Sequence, residues 1–566
     1  VSLIETFRRS RIRTPDKIAV ACVDRSWTYA ELDRVTEDLA INLLETGIER
    51  GDRVALHLMN GPELAFSYLG CLKAGCFAVP INVRLKGLEV DYILRHSGAV
   101  CYVGQPDLLA AVAQRPTRVP GLDRYFLTGD SSAIPQTRSF GELVRPSGRR
   151  VALPDVAFDQ TAAILYTSGT TARPKGVTHS HETLLQSAQG MRDAQLDENQ
   201  TVVVMSSMAH MVGFGVLFLP ALLNGAVVAI PPVLDPTAVL QTFERWRGTY
   251  TVGLPVMFHG LVQAQHAAPR DVSSGRVYFC GGDSVSPTLQ AAFLSTLGQP
   301  ICEIYGATEA VPLTWNRPGR VRIGSLGQAA QRVDIRLLDT QDGDVQPGEV
   351  GEVCVESTRL MTGYWQDPDS TASALRGGWF HTGDLAHRDA DGYYWFAGRK
   401  KEIIIRGGTN ISPQEVEAAI CEHPGVGEVA VIGRPDPVWG ETVTAWVVLR
   451  PGKAATEADL IAFVRERLAD YKTPERIIFS SELPKGPTGK IQRRTVREMD
   501  LAGRECRPDS NQTMWCWTKT DFEARSRIRH PQPGKRSLFI EQRSAMWLAV
   551  FCLADPRVDR APGAWP

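Results

Sequence analysis

Three things are scarce in this 566-residue sequence, and each scarcity excludes something. None of its eleven cysteines forms a C-x-x-C pair. That excludes a zinc-finger type of site and a dithiol redox motif, and the scatter fits a reducing cytosol better than a disulfide framework. Cys71 and Cys76, the nearest pair ahead of the tail, read as small apolar packing residues. Charge of one sign is also scarce. Lys and Arg number 62 against 63 Asp and Glu, a formal net charge of −1, so no global field draws the chain to nucleic acid or an anionic membrane. Finally, no apolar run reaches the roughly 18 residues of a membrane span. The longest, 214–223 and 545–554, read as core segments. The opening stretch VSLIETFRRSRIRTPDKIAV has no signal-peptide apolar region, and Leu3, Phe7 and Ile12 among basic residues predict a surface helix.

With 43% hydrophobic and 22% charged residues, the composition is that of a globular chain too long for one core. Strand-like runs (18–22, 54–59, 100–103) alternate with helical patterns (29–44, 64–74), an α/β order of sheets covered by helices. Further on come strands at 429–432, 444–449 and 476–479 and a helix at 457–468, an α+β unit of about 100 residues.

The stretch with most chemistry in it is Tyr166 to Val177, YTSGTTARPKGV, entered from an apolar strand at 161–165. Glycine lets backbone N–H groups approach a ligand, hydroxyls donate, and lysine supplies a point charge, so the stretch suits phosphate. It is not the Walker loop, because Lys175 precedes Gly176 and Val177 follows.

That string resembles the phosphate signature of the adenylate-forming superfamily: acyl-CoA synthetases, firefly luciferases and peptide-synthetase adenylation domains. The family form is Y/F-T-S-G-T-T-G-x-P-K-G-V. The one departure is Ala172 in place of Gly, which costs about 1 kcal/mol or more if that position has φ > 0. The resemblance covers about residues 1–500 and its motifs occur in order. It implies a large N-terminal domain of layered sheets and helices (1–400) and a small mobile C-terminal α+β domain (401–500). Residues 501–566 match nothing in it. Their four Trp, many Arg and scattered Pro read as a partner-binding extension, a disordered segment or, preferably, non-native sequence from a shifted frame.

The resemblance also implies site residues. Thr167, Ser168, Gly169, Thr170, Thr171 and Lys175 would hold the phosphates of ATP. His210, in an H-x-x-G block with Gly213, would lie beside the substrate carboxylate; a lone His among apolar residues also reads as a core histidine. Gly213 and Gly215 with Phe214 and Phe218 suit an apolar acyl pocket. Gly281, Gly282 and Asp283 would lie against adenine. G-G-D-S also resembles a carrier-protein attachment site at Ser284, but it follows a strand in mid-domain. In the Y-G-x-T-E block, Tyr305 would stack on adenine beside Gly306, Thr308 would face the α-phosphate, and Glu309 would ligate Mg²⁺. Asp384 and Arg399 would take the ribose, Lys401 would be the hinge, and Gly407 and Gly408 would line the pantetheine tunnel. Lys490 resembles the family's catalytic lysine.

The implied reaction joins a small-molecule carboxylic acid, fatty or aromatic, to CoA through acyl-AMP, with ATP and Mg²⁺, in the cytoplasm. Nucleic acid is not a partner, no integral membrane segment is expected, and a homodimer is compatible with the resemblance. The rivals are a carrier-protein thiol as acceptor, a luciferase-like oxidation, and an inactive binding protein on the same scaffold.

Overall fold

Thr28 opens the helix Tyr29–Glu45 with a capping box: its hydroxyl accepts from Glu31 N, and the Glu31 carboxylate accepts from Thr28 N. The computed structural model describes residues 2–85, 87–113, 119–129, 134, 136–148, 153–167, 174–282, 285–400, 402–406, 409–436, 439–468, 470–486 and 489–502. Leu32, Leu39, Ala40 and Leu43 lie on the inner face of that helix and pack on Pro62–Ala74, whose residues from Leu64 to Ala74 are all buried. A helix buried along most of its length needs cover on every side, and the helix Tyr29–Glu45, the strands 53–57 and 77–80 and the segment 212–218 contribute to it.

The first sheet runs, in spatial order, 328–329, 310–315, 301–307, 277–280, 250–253, 201–203, 227–229, 18–21 and 26–28. Its interior pairs from 301–307 to 18–21 are parallel, with antiparallel strands at both edges. The second runs 363–364, 175–180, 161–167, 77–80, 53–57, 101–104, 124–127 and 138–139. It too is parallel inside, and the 175–180 strand turns back antiparallel on 161–167. A third, wholly antiparallel sheet holds 333–338, 351–357, 380–388 and 394–399.

The last sheet, built from 404–406, 409–411, 426–436, 440–449 and 476–479, has its own core: Ile404, Ile411, Val416, Val431, Val447 and Leu460. The helix Arg493–Leu501 adds Val496 to a second cluster with Trp446 and Leu483. All described residues belong to one compact unit. The tail beyond 502 lies outside them.

Two expectations shift. The N-terminal helix, Leu3–Arg13, is not confined to the surface: Leu3 and Phe7 are fully buried, Ser10 donates to Leu223 O, and only the Ile12 side of the apolar set faces water. The expected strand at 429–432 extends over Val426–Asp436, because ten residues of it pair with the following strand. Gly427, Gly433 and Pro435 look like punctuation in the sequence, but they sit within that long pairing.

Candidate functional site

Tight turns bring the candidate residues together. The expected phosphate stretch is a hairpin, with Thr167 opposite Lys175 at its mouth. Ser168, Gly169, Thr170 and Thr171, with Ala172, lie outside the described residues. The Lys175 ammonium donates to Ser370 Oγ at 2.8 Å and sits 4.6 Å from the centre of the Tyr364 ring.

A second hairpin joins Ile301–Ala307 to Ala310–Trp315, with Ala307 opposite Ala310. Thr308 and Glu309 are its two turn residues, so both project from the sheet end. His179 holds this turn by donating from Nε2 to Thr308 O at 2.8 Å, while its Nδ1 faces Thr183 Oγ1. Burial lowers the His179 pKa to about 4, so it works as a neutral brace. Glu309 Oε1 accepts from the Tyr364 hydroxyl at 2.8 Å. Burial raises the Glu309 pKa, partly offset by Tyr364, its own backbone and Lys175. Among the described residues it makes no ion pair. A buried carboxylate with only a neutral donor is short of positive charge, and a hard divalent cation flanked by phosphate oxygens would supply it. Glu309 therefore fits Mg²⁺.

Gly281 and Gly282 end the strand Val277–Cys280. A Cβ on Gly281 would lie 2.5 Å from Ile304 O, and Gly282 has φ +79°, so the turn requires glycine at both positions. Asp283 lies outside the described residues. The Lys490 ammonium donates to Gly282 O at 2.9 Å. Gly489 (φ +82°) turns the chain just before it.

Tyr305 donates its hydroxyl to Asp384 Oδ2 at 2.8 Å, and Arg399 Nε lies 3.1 Å from Asp384 Oδ1. Burial raises the Asp384 pKa against the opposing pull of Arg399 and Tyr305. Gly306, next along that strand, packs against Val311 and Ala310 O. Lys401, Gly407 and Gly408 lie outside the described residues, but both neighbours of Lys401 are pinned. Lys400 donates its N–H to Gly383 O and its ammonium to Glu352 Oε2, at 2.8 and 2.9 Å. Glu402 accepts from Gln414 and Arg493.

His210 stands apart from the phosphate groups. Arg84 N–H donates to Asn82 Oδ1, which turns the Asn82 amide NH₂ toward His210 Nε2 at 2.9 Å. Nε2 must then accept, leaving the proton on Nδ1. Burial first, and Arg84 second, lower the His210 pKa, so the ring is neutral. Phe214 and Phe218, expected in an acyl pocket, are fully buried core residues, and Phe214 stacks on Tyr68 at 4.1 Å. Gly213 makes its close approach to the Ser207 carbonyl rather than to open space.

Glu352, Cys354 and His381 place potential metal-ligand atoms within 4.8 Å of one another. Glu352 is already paired with Lys400 and Arg376 and accepts from Gly383 N–H, so the cluster is a brace for the turn carrying Asp384.

Residues 7–365 match the AMP-binding enzyme family, and residues 415–490 match the AMP-binding enzyme C-terminal domain. The chain belongs to the AMP-binding enzymes. It is 36% identical over 498 residues to a feruloyl-CoA synthase of an Amycolatopsis species, covering 87% of this chain and 97% of the relative. It is 31% identical over 510 residues to the fatty acid–acyl-carrier-protein ligase ScoC of Streptomyces coeruleorubidus, covering 88% and 96%. The crystal structure of the anthranilate CoA ligase AuaEII in complex with anthranoyl-AMP superimposes with a TM-score of 0.82 at 29% identity, covering 89% of this chain and 98% of that one. No helix among the described residues of this AMP-binding enzyme is long and apolar enough to cross a membrane.

Tyr364, Ser370, His179 and Asn82 escaped the sequence reading. Tyr364 stands beside Trp365 in a GYW string that reads as packing. His179 follows the phosphate stretch by two residues, and that nearness was its only signal.

Proposed function

We propose that this AMP-binding enzyme is an ATP-dependent, AMP-forming acyl-CoA ligase for an aromatic or fatty carboxylic acid. One observation carries the reading: Lys490, from the last part of the chain, reaches the Gly282 turn beside the Tyr305–Asp384–Arg399 group. A cation delivered there suits the joining of two anions.

In the first step a carboxylate oxygen of the acid attacks the α-phosphorus of ATP. The bond to the pyrophosphate oxygen breaks, giving acyl-AMP. Neutralising charge matters more here than covalent help. Lys490 and Lys175 supply two cations, and Mg²⁺ held by Glu309 would neutralise phosphate charge. The 167–171 loop cradles the phosphates, Thr308 faces the α-phosphate, and Gly281, Gly282, Asp283, Tyr305 and Gly306 border the base. Asp384 and Arg399 take the ribose, whose hydroxyls would replace Tyr305 as donors to Asp384. His210, neutral and protonated at Nδ1, offers the acid a hydrogen bond rather than a charge. In the second step the thiol sulfur of CoA attacks the acyl carbonyl and AMP leaves. Residues 401–500 act as the small mobile domain, hinged at Lys401, with Gly407 and Gly408 on the thiol's path.

Eight cysteines among the described residues are all free, which suits a cytoplasmic enzyme. A second reading, a carrier-protein thiol as acceptor, is favoured by the likeness to ScoC. The test is acid-dependent ATP–pyrophosphate exchange over a panel of aromatic and fatty acids, followed by AMP release with free CoA. Exchange with no acid in the panel would overturn the ligase reading. Exchange without CoA-dependent AMP release would move the acceptor to a carrier protein.

A further inference from the structure

Tyr364 touches two groups of opposite charge at once. It lies on the short strand Gly363–Tyr364, antiparallel to Lys175–Ser180 and opposite Val177. Its backbone N–H donates to Thr371 Oγ1 at 2.9 Å. Its hydroxyl donates to Glu309 Oε1, while the Lys175 ammonium rests 4.6 Å from the ring centre and donates to Ser370 Oγ. The same segment also fixes the Glu309 backbone, through Met361 N–H to Glu309 O at 2.7 Å.

Lys175 lies close enough to Glu309 to hold down the pKa that burial raises. Opposite charges in a partly desolvated cleft attract strongly. Left alone they would close into a direct ion pair, with the ammonium and the carboxylate each consuming the other. The aromatic ring prevents this. Its face attracts the ammonium and its hydroxyl satisfies the carboxylate, so each charge is engaged by Tyr364 rather than by the other.

We propose that Tyr364 is a positioning residue that keeps Lys175 and Glu309 as a separated charge pair, open for a polyphosphate on one side and a divalent cation on the other. This rests on the reading of the site as one for Mg·ATP. Tyr364 itself takes no part in bond making.

The test is equilibrium binding to the full chain, by calorimetry, of ATP with Mg²⁺ and of AMP without metal. AMP lacks the β- and γ-phosphates and calls on neither charge. Tyr364→Leu should weaken Mg·ATP about thirtyfold, the scale of losing one hydrogen bond to a charged group along with the ring face under the ammonium, while leaving AMP within about threefold. Tyr364→Phe keeps the spacer and loses one hydrogen bond, so it should weaken Mg·ATP by less than about tenfold. Combining Tyr364→Leu with Lys175→Met should cost much less than the sum of the two, since the collapse needs both charges. Equal loss of AMP and Mg·ATP would make Tyr364 merely structural and overturn the proposal, as would normal Mg·ATP binding by Tyr364→Leu. Should Tyr364→Leu not fold, Tyr364→Phe decides: a loss as large for AMP as for Mg·ATP overturns the proposal, and a loss confined to Mg·ATP supports it. A wild-type chain that bound no ATP would count against the ligase reading instead.

Discussion

The ammonium of Lys490 donates to the main-chain carbonyl of Gly282 across 2.9 Å, although the two residues are 208 positions apart in the chain. The contact holds the turn after the 476–479 strand against the strand-end turn of the first sheet. On the function proposed above, that ammonium is the cation an α-phosphate at this turn would meet.

Lys490→Ala should therefore lower adenylation by about 10²–10³, the usual cost of removing one charge-stabilising donor. Conversion of supplied acyl-AMP to the thioester should fall much less. Both half-reactions are measured on one preparation, and equal losses would remove Lys490 from the adenylation step alone.

Lys401→Pro should separate the half-reactions in the other sense. Lys400 is tied to Glu352 and Gly383 on one side, and Glu402 to Gln414 and Arg493 on the other. A rotation of the 401–500 unit would turn between these two anchors, and proline there fixes φ near −65° and removes an N–H. Acid-dependent pyrophosphate exchange should stay within about tenfold, a barrier change of about 1.4 kcal/mol. Thioester formation should drop at least about a hundredfold, beyond 2.7 kcal/mol. Normal thioester formation would rule Lys401 out as the hinge.

A chain ending at Ala502 should fold and keep ligase activity, since the helix Arg493–Leu501 is retained. Ending it at Ile491 should not be tolerated. That cut removes fully buried Val496 from the cluster with Trp446 and Leu483, a loss of about 1–3 kcal/mol from one apolar side chain alone. Thermal melts of both truncations decide it, and an insoluble Ala502 chain would mean that residues beyond it pack on the body.

Glu303 makes stability depend on pH. Its carboxyl accepts from Val285 and Gly324 N–H, but burial pushes its pKa from 4.5 up to about 7. Between those values the unfolded chain has lost the proton and the native chain still holds it. The native state thus binds more protons, and stability falls as pH rises from about 4.5 to 7, by about 2–4 kcal/mol for this group. Below 4.5 the contribution is fully present, and above about 7 it has gone. Glu303→Gln cannot ionise, so its melting temperature should fall less than the wild type's between pH 5 and pH 8. Parallel curves would show that Glu303 is not responsible.

Much of the fold could be read directly from the sequence. The 476–479 strand lies where its apolar run placed it, and the helices at 29–45 and 62–74 follow their periodic apolar residues within a residue or two. Pairings were not readable. Tyr364 and Glu309 are 55 residues apart, and nothing local in either segment announces that a two-residue edge strand will bring them together. Periodicity records which side of an element is buried, not which element covers it. The same limit hid the state of His210: burial first, and Arg84 second, keep it neutral, and Asn82, 128 residues earlier in a different strand-end loop, sets its tautomer.

The phosphate hairpin carries a last consequence. Lys175 begins a strand, and the next helix opens only at His181, behind fully buried Ser180. Ser180 pairs with Thr161 at the far end of the hairpin from Thr167 and Lys175, so the helix that follows does not turn its N-terminal partial charge on the loop mouth as the helix of a strand–loop–helix nucleotide site does. On the function proposed above, attraction for the triphosphate would lean on the full charges of Lys175, Lys490 and the divalent ion; dissolved salt screens all three and a chelator removes the ion. Nucleotide affinity in this enzyme should track ionic strength and free divalent cation steeply, making the ion content of its surroundings a dial on how much ATP it holds.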